Sequence, residues 1–274
     1  MADLEQTNIE RTIETSKKLF NAAVGEQFFT DQNLKIGFFT PENGVEVYEQ
    51  FCREYFPRYL AENYRKQGYM QSFLAQAFCN GGTYGILASL RSGAPMEQWP
   101  AVILHEMSHI FCIEKECNGE NFYQSYCRDN AGAFTVAGYA VWREFVADYI
   151  ATHIFDYLSL STAKLRETVR ELDADILHIN PDAKMNMSRL LAHVFWNRQV
   201  RKAKSGKEII EFLAKNRVFS SKTCTEQYYQ IINHMYSQLS KPEYWKINVE
   251  FIDDLGESYL ALIARKAVGF SMNF

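Results

Sequence analysis

The run Pro100-Ala101-Val102-Ile103-Leu104-His105-Glu106-Met107-Ser108-His109-Ile110-Phe111 decides how the rest of this 274-residue chain is read. It contains H-E-x-x-H. Residues four apart lie about 40° apart around an α-helix and one turn along, so His105 and His109 share a face. Two imidazoles placed that way can grip one Zn²⁺ and leave Glu106 beside the open coordination position. A carboxylate there can take a proton from water and pass it to a leaving group. Pro100 suits the first turn of a helix, and the flanking residues are apolar nearly all round, as in a buried helix. The alternative is two core histidines and a helix-face glutamate with ordinary hydrogen-bond partners, since unpaired buried polar groups are costly.

A hydrolytic zinc site takes three protein ligands. The metzincin continuation needs Gly at 112 and His at 115, where this chain has Cys112 and Lys115. The next candidates lie in Val141-Trp142-Arg143-Glu144-Phe145-Val146-Ala147-Asp148. Glu144 and Asp148 are again four apart on an apolar helix. Glu144 can complete a His/His/Glu set, and Asp148 can accept the ring N–H of a ligand histidine and fix its tautomer. The alternative is a surface acidic pair beside Arg143.

With H-E-x-x-H followed by Glu144-x-x-Ala147-Asp148, residues 83–155 resemble the gluzincin metallopeptidases. That resemblance implies zinc on His105, His109 and Glu144, Glu106 as general base, and a peptide or protein substrate. The stretch Cys112–Gly138 is longer than the corresponding link in thermolysin-like members. Thermolysin-like enzymes keep an oxyanion-stabilising histidine in the helical lobe, which makes His193 a candidate for that role, with a packed helix histidine as the alternative. Tyr139 is a second candidate donor. In gluzincins the strand before the zinc helix is a sheet edge that pairs with substrate backbone, so Thr83–Leu90 is read either as such an edge, with Gly85 allowing close approach, or as an internal core strand. Gly93-Ala94-Pro95-Met96-Glu97 is similar to the G-x-M-E-N element of some gluzincin aminopeptidases. It falls almost at the helix start and ends in Gln98, and reads as a turn and a helix N-terminus.

Net charge is −4, with acidic and basic residues interspersed, so no nucleic-acid surface is expected. The N-terminus lacks a signal-peptide core. The uncharged run Met70–Leu90 is broken by Gln71, Gln76 and Asn80-Gly81-Gly82, which reads as a helix end, a turn and a strand, so no membrane span is expected either. These features point to a soluble, cytoplasmic protein; nothing in the sequence sets an oligomeric state. Six cysteines, with no C-x-x-C pair, read as reduced thiols. Cys112 shares the histidine face of its helix and is a small buried hydrophobe or a fourth metal ligand. Cys112, Cys117 and Cys127 match neither a metal nor a disulfide pattern well.

Periodicity predicts a helix over 2–24 with Ile9, Ile13, Phe20 and Ala23 on one side, a strand over Leu34–Phe39, and a long amphipathic helix over Val45–Arg65. After the Asn80-Gly81-Gly82 turn comes the strand Thr83–Leu90, then the zinc helix. Helices are expected near 139–157, 162–178, 183–203, 206–216, 225–239 and 246–268, with start signals at Ser161 or Thr162 and at Pro181-Asp182. His153, nine residues past Glu144, should point away from it; His178 and His234 carry no pattern. The expectation is an α+β, predominantly helical, zincin-like single catalytic domain over 1–274. It would have a mixed α/β upper lobe with a small sheet (1–111), an all-helical lower lobe (112–274) supplying the third ligand, and zinc in a cleft between them. Two other functions use the same residues: a catalytically silent regulatory or interaction protein on a zincin fold, and a zinc hydrolase of a non-peptide substrate.

Overall fold

The computed structural model describes residues 2–61, 64–91, 95–117, 119, 122–127, 131–155, 162–178, 183–219 and 225–271. They fall in two compact units, 1–115 and 116–274. The protein is predominantly helical with one small mixed sheet.

The first unit carries α1 (Ala2–Val24), β1 (Leu34–Phe39), α2 (Gly44–Tyr55), β2 (Ala75–Asn80), β3 (Thr83–Ser89) and α3 (Trp99–Glu114). The sheet order is β1-β3-β2, with β3 parallel to β1 and antiparallel to β2. Side chains alternate across a strand, and that alternation sorts the helices. Gly85 and Leu87 of β3 meet α2 and the turn after it, through Phe51 and Phe56. Tyr84 points the other way and stacks on Phe28, which contacts Phe111 of α3. Cys79 of β2 reaches Glu114 of α3, Sγ to Oε2 3.2 Å. Thus α2 and α3 cover opposite faces of the sheet, and the H-E-x-x-H helix rests on it. On α1 the buried stripe is Ile9, Ile13 and Phe20, as the period predicts, but Ala23 is exposed.

Two sequence expectations in this unit need correction, and the alternatives left open for the strand before α3 are decided. The helix from Val45 stops at Tyr55, because Pro57 cannot continue it and excludes the helical region for Phe56, whose φ/ψ are −137°/55°. A short 3₁₀ turn, Pro57–Ala61, follows. The run before Asn80 is not a helix end but β2, the first arm of a hairpin. Gly81 and Gly82 both have positive φ, 52° and 82°, as a two-residue type I′ turn requires. The strand Thr83–Ser89 is central rather than an edge, so its backbone is taken by β1 and β2. Gly85 makes room for a ring rather than a peptide: a Cβ there would stand 2.4 Å from Phe56. Of the Gly93–Glu97 element, Gly93 and Ala94 lie outside the described residues; Pro95 is extended and Met96–Gln98 form a 3₁₀ turn leading into α3.

The second unit, as described, is all helical: α4 (Ala133–Phe155), α5 (Thr162–Leu177), α6 (Ala183–Trp196), α7 (Gly206–Lys215), α8 (Thr225–Leu239) and α9 (Val249–Ser271). No strand occurs after residue 138 among the described residues, as expected. The helix bearing Glu144 begins six residues earlier than the sequence suggests, and the one from 183 ends at Trp196, before a 3₁₀ turn at Val200–Lys202. Ser161, Pro181 and Asp182 lie outside the described residues. Helix α4 is the core element, with Val141, Trp142, Phe145 and Ala147 fully buried, and it packs against α6 and α9. Ser188 of α6 donates to the Val141 carbonyl at 2.9 Å. Where α4 crosses α9, Gly138 meets Gly256 with no side chain between the backbones. Among the described residues no helix is long and apolar enough to cross a membrane.

Candidate metal centre

Helix α3 presents its residues unequally. Ile103, Leu104, Met107, Ser108, Ile110 and Cys112 are buried, while Val102, His105, Glu106, His109 and Ile113 are half-buried. The helix is apolar nearly all round in sequence, yet the stripe carrying both histidines and Glu106 stays partly open. Ser108 turns its hydroxyl back to the Leu104 carbonyl at 2.7 Å, which satisfies it within the helix.

The two imidazoles converge as the spacing predicts. Their Nε2 atoms are 2.9 Å apart, with ring centroids 4.5 Å apart and ring planes at 89°. At that distance one Nε2–H donates to the other ring. Glu144 on α4 is buried, only 6% exposed, which rules out the surface-pair reading. One ligand atom from each of His105, His109 and Glu144 lies within 4.8 Å of the other two. A tetrahedral ion with bonds of about 2.0–2.2 Å holds neighbouring donors about 3.4 Å apart. The histidine pair needs to open by about half an ångström to meet that spacing. Two imidazoles and a carboxylate suit zinc or another divalent ion of the first transition series. The group can therefore hold a metal.

Sequence reasoning missed the role of Arg143. Its guanidinium donates to Oε1 of Glu144 from Nη2 at 2.9 Å and from Nε at 3.3 Å. An arginine next to the glutamate was the only available signal, and adjacent helix positions do not normally face each other. Cys112 is fully buried and is not a member of the three-residue group. Cys52, Cys79, Cys112 and Cys117 are in no disulfide; Cys224 and the side chain of Cys127 lie outside the described residues.

The two candidate oxyanion donors are both buried. Tyr139 is 4% exposed and stacks on Tyr123, with centroids 5.0 Å apart, and on Phe122. His193 is 7% exposed, with Nδ1 3.5 Å from the Thr168 hydroxyl. Burial pushes its pKa down to about 4 against the opposing pull of the Asp148 carboxylate, so the ring is neutral at pH 7. Asp148 thus lies within electrostatic reach of His193. His153 is exposed and sits edge-on to Trp196 at 4.7 Å; His178 is exposed; His234 lies 3.8 Å from Asp254. Comparisons with protein-family models, with curated proteins and with solved structures find no match to the chain.

Proposed function

We propose that the chain is a zinc-dependent peptidase of the gluzincin type. The observation that carries this reading is the convergence of His105, His109 and Glu144, three donors of the right chemistry, with Glu106 on the same half-buried stripe of α3. Zinc bound to this set would polarise a substrate carbonyl and lower the pKa of a water molecule. His105 and His109 would hold the ion from one helix face. Glu144 would close the set and offset its charge, while Arg143 fixes one carboxylate oxygen. Glu106 accepts a proton from the attacking water and delivers it to the leaving amine nitrogen, so one carboxylate serves as base and then as acid. Asp148 is assigned to orienting a ligand imidazole, as a second carboxylate does in many zinc sites.

The silent regulatory alternative would place a fourth protein ligand on the ion. Cys112 is the candidate for it, and the three-residue donor group is His105, His109 and Glu144.

The experiment has two readouts. Elemental analysis and zinc titration of the purified chain should give one tightly bound zinc. His105→Ala and Glu144→Ala should each weaken binding by at least 100-fold. Glu106→Gln should keep the zinc and lose hydrolysis of an unstructured protein substrate by at least 10³-fold. A chain that binds no zinc sinks the metal assignment. Zinc binding with wild-type hydrolysis in Glu106→Gln sinks the mechanism.

A further inference from the structure

The second unit holds a cavity of about 380 Å³ lined by Tyr149, Ile150 and His153 of α4, Trp196 at the end of α6, Arg201 of the following 3₁₀ turn, and Tyr244. Its volume is in the range of small-molecule sites. It is separate from the metal group along α4: Tyr149 is five residues past Glu144 and His153 nine, about 140° and 180° around the helix.

The walls are rings and the rim is cationic. Tyr149 and His153 stand edge-on to Trp196, at 5.8 and 4.7 Å between centroids and 80° and 76° between planes. Arg201 lies over the Trp196 face at 4.5 Å. That stacking uses the guanidinium's flat face and leaves its N–H edges to donate. Arg201 is exposed and forms no ion pair among the described residues. Its charge is felt at the Tyr149 hydroxyl, where it opposes the upward push of burial. Arg198, Lys202 and Lys204 stand beside Arg201 in sequence with no acidic residue from 197 to 204, in a chain whose net charge is −4. The acid next to Tyr244, Glu243, is engaged by Lys246 at 2.7 Å.

A pre-stacked guanidinium with its N–H edges turned outward favours a multiply charged, tetrahedral oxyanion over a lone carboxylate, because it donates in pairs and neighbouring cations add to the attraction of the extra charge. Ring walls beside it select a planar group joined to that anion. We propose that this cavity binds a phosphate monoester carried on a planar ring, with Arg201 holding the phosphate and Tyr149, His153 and Tyr244 bordering the ring. The proposal rests on no part of the metal reading.

Calorimetric titration of the intact chain with phenyl phosphate, AMP, inorganic phosphate and benzoate tests it. One ring phosphate should bind saturably, one per chain, at least tenfold tighter than inorganic phosphate or benzoate. Tighter phenyl phosphate assigns the ligand to phenolic phosphates, and tighter AMP to nucleotides; either supports the site. Arg201→Gln should weaken the ring phosphate at least tenfold, with Arg201→Lys recovering part of the loss. His153→Ala should weaken it while leaving inorganic phosphate unchanged. Glu144→Ala should leave binding intact. Ring phosphates no tighter than inorganic phosphate, binding indifferent to Arg201→Gln in a chain that melts normally, or binding lost in Glu144→Ala would each overturn the proposal.

Discussion

Replacing Gly138 by alanine sets two effects of known sign against each other. In a helix interior, glycine to alanine is worth about 1 kcal/mol of stabilisation, because the unfolded chain loses freedom. Here the new Cβ would stand 1.9 Å from the Ile252 carbonyl oxygen and 2.9 Å from the Gly256 nitrogen. Even close C–H···O contacts settle at about 3.3 Å or more, so α4 and α9 must part by about 1.4 Å. No rotamer change relieves this, since both obstacles are backbone. Separation also loosens the edge-on contact of Trp142 with Phe251 (5.3 Å) and the Thr135–Asp253 hydrogen bond (2.5 Å). Overpacking typically costs about 1–3 kcal/mol, and an obstacle that cannot yield belongs at the top of that range. The net expectation is a loss of about 2 kcal/mol, seen as a melting temperature lower by about 4–8 °C in circular dichroism. Gly256→Ala should behave alike, because its Cβ would meet the Phe134 carbonyl at 1.9 Å. Because α4 also carries Glu144, about 9 Å further along the axis, zinc affinity should fall with stability. A Gly138→Ala chain that melts at or above the parent temperature would refute the backbone contact and the argument built on it.

Gly85→Ala drives a Cβ into the buried Phe56 ring and should cost about 1–2 kcal/mol in urea unfolding; an unchanged midpoint would mean that the ring has room to move. His193, with its pKa pushed down to about 4 by burial, binds fewer protons folded than unfolded between roughly pH 4 and pH 6.5. Its contribution is therefore present in full above pH 6.5 and is lost as pH falls toward 4, by about 3 kcal/mol at most. His193→Gln should flatten the stability profile in that window, and an identical profile in the variant would remove His193 as its source. As an oxyanion donor, His193 would also cost about 10²–10³ in kcat when replaced, with zinc affinity unchanged. As a packed residue, it would cost stability alone.

The three donors of the metal group were legible because their signal is local. His105 and His109 are fixed by one turn of helix, and Glu144 by a second apolar helix that needed a reason to carry an acid. The buried stripe of α1, the strand Leu34–Phe39 and most helix spans in the second unit were legible for the same reason: a period of 2 or 3.6 survives in the residue order. What failed was non-local, or lay at a break. The helix past Tyr55 was read through Pro57, whose steric veto outranks continuing amphipathicity. The Ala75–Asn80 strand was missed, although Asn80-Gly81-Gly82 is a two-residue turn that demands a strand on both sides.

Sheet order shows most clearly where sequence runs out. Thr83–Ser89 reads the same as an edge or as a centre, because β1 becomes its neighbour only through a parallel crossover that leaves no mark on either strand. The consequence is chemical: with both sides of β3 hydrogen-bonded, a peptide cannot add to it, and β1 and β2 are the edge strands among the described residues. The arginine on Glu144 and the aromatic cavity around Trp196 were invisible for a related reason. Arg143 was read only as the neighbour of a surface acidic pair, yet its long side chain folds back to the carboxylate. Arg201 and His153 come from separate helical segments that only packing brings to one ring. Motif chemistry thus survives in sequence where one helix carries it, whereas the routes by which a substrate or second ligand approaches depend on the packing.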